Sequence, residues 1–358
     1  MTTIDPWGSM KIESYEKLFT EFGISPFENF KEKFKTNRYV RRGIIFGHRD
    51  FDKIARCIDK NKKFAMLTGL MPSGKFHFGH KMVADEIIWF QEMGAETYIC
   101  AADIEAYLTR DIDLKLAKEI ATEEYLLNYL ALGLKTNNLH FYFQSDYVVP
   151  YYRFRDTLSK RATNNSLKSI YGELTPGKIF SIFTQVADIL HPQLDEFSGK
   201  MPTVVPVGSD QDPHIRLTRD IAAKLNLISP SSVYHKFMEG LNGGKMSSSD
   251  PKSYISLTET PKSARKKIMR AKTGGRATRE EQKELGGIPG KCMIYELFVY
   301  HLIDDDKNLH EIYHDCKSGN LRCGDCKTNC AELMEKFLIE HQEKREKARS
   351  TADNILGN

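Results

Sequence analysis

Long hydrophobic runs are missing from this sequence. No stretch of its 358 residues approaches the roughly 18 consecutive apolar residues that span a bilayer. The first residues, MTTIDPWGSMKIESYEKLF, do not join a basic stretch to an apolar core, as a secretory leader does. We therefore expect no membrane partner and a cytoplasmic location.

The commonest phosphate-binding loop is absent as well, because no GxxxxGK[ST] pattern occurs, and this argues against a P-loop enzyme. Neither sign of charge dominates, since 52 Lys and Arg face 48 Asp and Glu for a formal net charge of +4. This balance permits a polyanionic partner without requiring one. With 41% hydrophobic residues, the chain can bury a sizeable core in two or three domains.

The hydrophobic pattern divides the chain into three predicted domains. Residues 1–62 have a charged, helical pattern and are predicted to form an N-terminal helical appendage. Residues 63–257 alternate buried-type strands (FAMLTG, AETYICAAD, MPTVVPVG) with amphipathic helices, which predicts a Rossmann-like α/β domain with a parallel sheet and a helical insertion at about 108–200. Residues 258–358 are helical in period and are predicted to form a C-terminal all-helical domain.

A first candidate functional loop, PSGKFHFGH, lies between a predicted strand and a predicted helix. His77 and His80 bracket Gly79 at the start of that helix. The N-terminus of a helix suits a phosphate, and a glycine lets a flat ring lie against the backbone. The two imidazoles would donate to phosphate oxygens. Taken alone, such a histidine pair is more often structural or metal-binding.

A second candidate loop, KMSSS, spans residues 245–249 and follows two glycines. Lys245 offers a point positive charge, and the serine hydroxyls offer donors for phosphate oxygens. By itself this segment is equally compatible with a solvated surface loop.

Together, the two loops resemble the paired signatures of the class I aminoacyl-tRNA synthetases, and the resemblance covers roughly residues 40–345. It implies that an amino acid attacks the α-phosphorus of ATP, that pyrophosphate leaves, and that the aminoacyl group passes to tRNA. Mg²⁺ would accompany the ATP. The resemblance implies catalytic roles for His77, His80 and Lys245. The residues that it implies in ATP binding are Pro72, Ser73, Gly74, His77, Gly79, His80, Lys245, Met246, Ser247 and Ser248.

Two other classes of protein share some of these features. A nucleotidyltransferase that adenylylates a small molecule has a similar pair of loops, but it does not need the long C-terminal helical domain, which a synthetase uses to hold the anticodon of its tRNA. A non-enzymatic RNA-binding module is supported only by the basic stretch KSARKKIMRAKTGGR.

Three segments, AADIEAY, FTQVADIL and VPVGSDQDPHIRLTRD, are similar to those that form the amino-acid pocket of this family. The resemblance implies that Glu105, Gln185 and Gln211, with Asp210 beside them, hold the amino and carboxylate groups of the substrate. From the residues alone, these side chains are more typical of helix surfaces or buried polar positions than of a substrate pocket.

The predicted substrate is tryptophan, with tyrosine as the alternative. An indole N–H is a pure donor, so one buried acceptor suffices for it. Asp188 matches the aspartate that bacterial tryptophanyl enzymes place against the indole nitrogen, although tyrosyl enzymes also have an aspartate there. Leu67 stands where similar tyrosyl enzymes have a tyrosine that contacts the phenol. Eukaryote-like tryptophanyl enzymes have a tyrosine at the position of Leu67 and a glutamine at that of Cys100, so the indole contact of this chain must differ from theirs, and Asp188 is the predicted acceptor. The chain as a whole resembles the archaeal kind of tryptophanyl enzyme. The predicted partner is tRNA(Trp).

The C-terminal region is rich in cysteine, with four of the seven cysteines between residues 316 and 330. Cys292, Cys316, Cys323 and Cys326 are similar in spacing to the C-x22-C-x6-C-x2-C pattern that holds a 4Fe–4S cluster in a subset of tryptophanyl synthetases, with one extra residue in the longest gap. A Zn²⁺ site and free thiols remain alternatives. The relatives also imply a homodimer.

Overall fold

The computed structural model describes residues 15–244, 246 and 250–357. The strands are Ser25–Pro26 (β1), Ile45–Arg49 (β2), Ala65–Leu70 (β3), Glu96–Ala101 (β4), Leu139–Phe143 (β5), Thr203–Gly208 (β6) and Ser231–His235 (β7). The α-helices are Tyr15–Phe22 (α1), Glu28–Lys31 (α2), Arg38–Arg41 (α3), Phe51–Asp59 (α4), Phe78–Glu92 (α5), Asp103–Arg110 (α6), Leu114–Ile120 (α7), Leu127–Leu132 (α8), Val149–Leu158 (α9), Asn164–Tyr171 (α10), Pro176–Leu190 (α11), Asp212–Lys224 (α12), Pro261–Arg270 (α13), Arg279–Leu285 (α14), Met293–Leu297 (α15), Asp306–Lys317 (α16), Cys323–Lys347 (α17) and Arg349–Leu356 (α18). Two π-helical turns, Ala121–Leu126 and Phe298–Leu302, follow α7 and α15.

The described strands form one sheet in the order β1-β2-β7-β6-β3-β4-β5. The five strands from β7 to β5 are parallel, while β2 lies antiparallel to β7 and β1 antiparallel to β2. The chain runs outward from β3 to β5, then returns to the other side of β3 with β6 and β7. This order confirms the predicted Rossmann-like α/β fold and creates a topological switch point between β3 and β6.

Alternate residues of the central strands enter two different cores, as the two-residue period of a strand requires. Met66 and Ile99 lie in the core that also contains residues of the C-terminal helices. Leu67 and Cys100 lie in the core that α11 and α12 cover. The face of the sheet that carries Leu67 is therefore packed against α11.

The N-terminal segment is not purely helical, and this part of the sequence-based prediction was wrong. Residues 45–49 form β2, which pairs with β7 and so joins the segment to the main sheet. The run IIFGHR is rich in β-branched and aromatic residues, but charged helical stretches flank it and dominate the pattern. The division of the chain at residue 62 stays a prediction.

The predicted helical insertion at about 108–200 is interrupted by β5, the edge strand that pairs with β4. Its sequence, LHFYF, is short, and helical patterns lie on both sides of it. The region therefore contains two crossover connections, one through α7 and α8 into β5 and one through α9 to α11 into β6.

The C-terminal part of the described chain is helical from α13 onward, as predicted. α17 packs against α13, α15 and α8, and so reaches from the C-terminal helices to the sheet layer. Arg42 fastens this region to the N-terminal segment by donating to the Ile303 carbonyl and to Asp306, each at 2.8 Å. No helix in the described part of the chain is long and apolar enough to cross a membrane.

Candidate active site

The first loop lies at the topological switch point of the sheet, where α/β proteins commonly bind their ligands. β3 ends at Leu70, and α5 begins at Phe78 after the loop. The adjacent strand β6 ends at Gly208 and continues into the short turn Ser209–Gln211. The predicted ATP loop and the predicted Asp210 and Gln211 therefore follow the carboxyl ends of neighbouring parallel strands.

His77 and His80 form a stacked pair at the start of α5, with ring centroids 3.8 Å apart. The Gly79 backbone N–H donates to His77 Nδ1, and the His77 backbone N–H donates to His80 Nδ1, each at 3.2 Å. Because both Nδ1 atoms act as acceptors, the proton of each neutral ring is on Nε2.

Both histidines are neutral at physiological pH. Burial lowers the pKa of His77 to about 2, with a further contribution from His80. Burial also lowers the pKa of His80 to about 4. The pair therefore offers two Nε2–H donors without carrying charge, which is the arrangement that the predicted phosphate contacts require.

The two candidate loops meet over Gly79. A Cβ atom at Gly79 would lie 3.0 Å from the His77 ring and 3.3 Å from Met246 Sδ, so a side chain there would make these neighbours shift by a few tenths of an ångström. Pro72 is buried in the first loop, and Ser73 and Gly74 are partly exposed beside it. The predicted Lys245, Ser247 and Ser248 lie outside the described residues.

The segment that follows the second loop is hydrogen-bonded to the first loop. The Leu257 N–H donates to the Phe76 carbonyl at 2.9 Å, and Ser256 pairs with His77 in an isolated antiparallel bridge. The Tyr254 ring lies 5.0 Å from the His77 ring, centroid to centroid. The two signatures, distant in sequence, are therefore adjacent in the structure.

The predicted amino-acid pocket also comes together. Gln185 on α11 donates through Nε2 to both carboxylate oxygens of Glu105 on α6, at 3.0 and 2.9 Å. Gln144, at the end of β5, accepts from the Glu105 backbone N–H at 3.2 Å and donates to Asp188 at 2.7 Å. A single buried amide thus links the backbone of Glu105 to the carboxylate of Asp188.

Asp188 is only 4% exposed and is surrounded by donors. Tyr142 and Tyr151 donate their hydroxyls to its Oδ1 at 2.8 and 2.7 Å, and Gln144 donates to Oδ2. Burial raises the pKa of the Asp188 carboxyl, and the hydrogen bonds oppose that effect. Tyr142, Gln144 and Tyr151 were not predicted from the sequence; recognition of β5 as a strand that ends at the pocket would have indicated Tyr142 and Gln144.

Leu67 and Cys100 lie beneath this network on the face covered by α11, and both are buried. The Cys100 thiol is within hydrogen-bonding reach of Asp188. Burial, followed by the nearby Asp188 charge, raises the pKa of that thiol well above its usual value. Cys100 is therefore a protonated, weak donor to the same carboxylate that is predicted to accept the indole N–H.

The turn that carries Asp210 and Gln211 is fixed at both ends. Before it, a Cβ atom at Gly208 would lie 2.4 Å from the Phe237 ring and 2.8 Å from Asp210 Oδ1. After it, the fully buried Asp212 accepts from both Arg49 Nε, at 2.9 Å, and Arg49 Nη2, at 3.1 Å. Strand β2 thus contributes Arg49 to the support of the predicted pocket.

The four predicted cysteine ligands, Cys292, Cys316, Cys323 and Cys326, line one small cavity in the C-terminal region. A Cβ atom at Gly275 would lie 2.6 Å from Cys323 Sγ, and one at Gly287 would lie 2.7 Å from Cys316 Sγ. Across the described ranges, however, no three His, Cys, Asp or Glu side chains are arranged to hold a metal ion. The iron–sulfur or zinc site therefore stays a prediction, with the four cysteines brought to one cavity.

A Rossmann-like sheet with the two signature loops near its switch point, continued by helices, is the arrangement expected of a class I aminoacyl-tRNA synthetase. The family model for class I tRNA synthetases of the tryptophan and tyrosine type matches residues 59–339. The chain belongs to this family and, within it, to the tryptophan–tRNA ligases.

Similar proteins support this assignment over nearly the whole chain. A tryptophan–tRNA ligase of Hyperthermus butylicus is 52% identical over 99% of this chain and 96% of its own. A tryptophan–tRNA ligase of Methanocaldococcus jannaschii is 48% identical over 99% of this chain and 98% of its own. The crystal structure of tryptophanyl-tRNA synthetase from Aeropyrum pernix K1 has a TM-score of 0.92 and 48% identity, and the match covers 98% of each chain.

Proposed function

We propose that this protein activates tryptophan with ATP in the cytoplasm and transfers the tryptophanyl group to tRNA(Trp). The tryptophan carboxylate attacks the α-phosphorus, the bond to the bridging oxygen breaks, and pyrophosphate leaves. A tRNA hydroxyl then attacks the tryptophanyl carbonyl carbon, and AMP leaves. The neutral Nε2–H donors of His77 and His80 carry this proposal, because the activation step builds negative charge on phosphate oxygens.

The two loops supply the phosphate contacts. His77 and His80 donate from the start of α5, where the backbone partial charge also favours phosphate. Pro72, Ser73, Gly74 and Gly79 form the surface on which the adenosine and triphosphate lie. Lys245, Met246, Ser247 and Ser248 act from the second loop. Mg²⁺ would bind mainly through the ATP phosphates and keep most of its water ligands, and it would neutralise part of the phosphate charge.

Glu105, Gln185, Asp210 and Gln211 are proposed to hold the amino and carboxylate groups of tryptophan. The Glu105 carboxylate suits an ammonium group, and its pairing with Gln185 at 2.9 Å supports a fixed orientation before the substrate arrives. Gln211 follows β6 beside the ATP loop, so it lies on the side where the carboxylate must meet the α-phosphorus.

Asp188 is proposed to accept the indole N–H. Tyr142, Tyr151 and Gln144 occupy three of its roughly four acceptor positions. The Cys100 thiol is the weakest of its donors, so the indole N–H would replace that contact. Leu67 provides an apolar surface for the ring.

ATP–pyrophosphate exchange tests the activation step directly. The wild-type protein is assayed at saturating MgATP with tryptophan, with tyrosine and with no amino acid. Exchange with tryptophan alone is the expected result. Exchange with tyrosine would favour a tyrosyl enzyme, and exchange with neither would favour a different nucleotidyltransferase.

The C-terminal helical domain is proposed to bind the anticodon region of tRNA(Trp). A cavity of about 630 Å³ lies between α14 and the start of α17, and Arg276, Arg279, Lys283 and Arg322 line it. Cations around an open cavity of this size suit a single-stranded nucleotide with its phosphate.

A homodimer is proposed through the face formed by α6, α7, α9 and α11. These helices contact one another, and Tyr107, Leu116, Val149 and Phe180 are exposed on them. Val149, for example, is 67% exposed. Large exposed apolar side chains on adjoining helices are typical of protein interfaces.

The cysteine cavity supports a separate proposal, that its four thiols take an iron–sulfur cluster or, alternatively, a zinc ion. Its support is the convergence of all four side chains on one cavity, with glycines at Gly275 and Gly287 where a Cβ would clash. Iron, sulfide and zinc are measured on anaerobically purified protein. Protein that carries neither metal would end this proposal.

A further inference from the structure

The π-helical turn Ala121–Leu126 interrupts the helix between α7 and α8. π-helical turns are rare and occur frequently at functional sites. This turn places two consecutive carboxylates, Glu123 and Glu124, on different sides of the helix. Glu123 is exposed, and Glu124 is buried.

Glu124 contacts both sides of the ATP site. Its Oε2 accepts from the Phe76 backbone N–H at 3.2 Å, one residue before His77, and from Thr258 Oγ1 at 3.4 Å, just beyond the second loop. Its Oε1 accepts from Lys75 Nζ. One buried carboxylate therefore fastens the first loop to the segment that leaves the second.

The residue next to Glu124 supports the same loop from behind. The Tyr125 ring lies 5.4 Å from the Phe76 ring and 5.3 Å from the His80 ring, with both pairs in edge-to-face geometry. The π-helical turn thus fixes the backbone before His77 and the ring of His80 at the same time.

Glu123 connects the same turn to the C-terminal helices. It pairs with Arg345 on α17 at 3.2 Å and with Arg349 on α18 at 3.1 Å. Deeper in the interface, Asn128 on α8 is 2.7 Å from His341 on α17. Exposed ion pairs contribute little by themselves, so the buried contact carries most of this attachment.

We propose that Glu124 is a positioning residue for amino-acid activation, which holds the first loop and the segment after the second loop in register from a turn that is anchored to the C-terminal helices. This inference rests on the proposed function, because it concerns the geometry of the same reaction. Glu124 acts through Phe76 and Thr258 on the loops that contact ATP.

Glu124→Ala and Glu124→Gln test the proposal in the full-length protein. Alanine leaves the buried Phe76 N–H without its acceptor, whereas glutamine keeps one oxygen for it. We expect Glu124→Ala to lower kcat of pyrophosphate exchange roughly 10- to 100-fold, with a smaller change in the KM for tryptophan. Glu124→Gln is expected to recover most of that loss.

The exposed Glu119 on α7 is the matched control, and Glu119→Gln is expected to keep wild-type exchange. Thr258→Val removes one Glu124 contact by a small change. If Glu124→Ala does not fold, Thr258→Val must still lower kcat several-fold for the proposal to survive.

The outcomes separate this proposal from the proposed function. Wild-type protein without tryptophan-dependent exchange contradicts the proposed function itself. The role of Glu124 is overturned if the wild-type protein is active and Glu124→Ala leaves kcat unchanged. It is also overturned if the alanine and glutamine variants lose kcat equally.

Discussion

His77 and His80 illustrate how two backbone hydrogen bonds can decide the chemistry of a side chain. Their Nδ1 atoms are occupied by the N–H groups of Gly79 and His77, so only the Nε2–H groups remain for a substrate. Because burial holds their pKa values at about 2 and about 4, protonation does not compete near neutrality.

We expect His80→Ala to lower kcat of pyrophosphate exchange by about 10²- to 10³-fold, which is the usual effect of removing one preorganised hydrogen-bond donor from an enzyme active site. Tryptophan binding should change little, since His80 belongs to the phosphate side of the site. In the wild type, neither histidine should titrate between pH 8 and pH 6. An inflection near pH 6.5 that disappears in His80→Ala would contradict the neutral-donor assignment.

Asp188 carries the prediction for specificity. Asp188→Asn replaces an acceptor-only group with an amide, so the hydroxyls of Tyr142 and Tyr151 lose part of their acceptor. We expect kcat/KM for tryptophan to fall roughly 10- to 100-fold, as for a hydrogen bond to a charged group, and the preference over tyrosine to narrow. The exposed Asp146 provides the control variant Asp146→Asn. An unchanged ratio of the two kcat/KM values would remove Asp188 from the indole contact.

Candidate site residues in short motifs can be predicted from the sequence, whereas those that act across the fold cannot. His77, His80 and Gly79 stand in one loop, so their spacing is visible in the sequence. Gln144 and Glu124 reach their partners only after β5 and the π-helical turn have packed against distant segments. Neither residue lies in a motif of its own.

Among the secondary-structure elements, α14 and the start of α17 carry a prediction about tRNA. Arg279→Ala combined with Lys283→Ala should raise the KM for tRNA several-fold and make it less sensitive to salt, because cations that contact phosphate release counterions. Exchange without tRNA should stay at the wild-type rate. Lys62→Ala with Lys63→Ala, an exposed pair before β3, is the control. Equal effects of the two double variants would argue against a specific contact.

Elements with a strong period were predictable, and the short ones were not. The strands β3, β4 and β6 are buried apolar runs next to Gly- or Pro-containing loops. Their hydrophobic pattern alone was enough to predict them as strands. β2 and β5 each have five residues and lie between helical patterns, so their strand character depends on pairing with β7 and β4. Pairing with distant segments is a tertiary effect that local propensity does not contain.

The whole molecule should lose stability on mild acidification. Burial lowers the pKa of several histidines in the folded state, and these are His48, His77, His80, His191, His214, His301 and His341. A folded pKa below the unfolded value of about 6.5 contributes stability that is present above pH 6.5 and lost as the pH falls toward the folded pKa. His235, Asp188 and Glu296 have raised pKa values and act in the opposite direction, but they are fewer than the histidines whose pKa is lowered.

We therefore expect the free energy of unfolding to fall between pH 7 and pH 5, by up to about 2 kcal/mol per histidine at pH 5. Tm should fall with it. His214→Gln should flatten the dependence of Tm on pH, because burial lowers the pKa of His214 to about 3. Calorimetry across this range measures the slope. A Tm that does not change with pH in the wild type would contradict the prediction.

Assembly is also a property of the whole molecule. Val149→Glu with Phe180→Asp places charges on the proposed interface, and we expect a monomer by sedimentation where the wild type is a dimer. The exposed Leu285, on α14 in the C-terminal region, supplies the control Leu285→Glu. A wild-type monomer, or a dimer that both changes leave intact, would contradict an interface on α6, α7, α9 and α11.

The antiparallel pairing of β2 with β7 also has a consequence for biosynthesis. The ribosome makes β2 about 180 residues before its partner, an interval on the order of 10–40 s at ordinary elongation rates. The carbonyl of Ile303 that Arg42 contacts emerges later still. The earliest part of the described chain to be translated should therefore be among the last to acquire its native neighbours, and a chaperone that binds nascent chains would find Ile45 and Phe46 exposed throughout that delay.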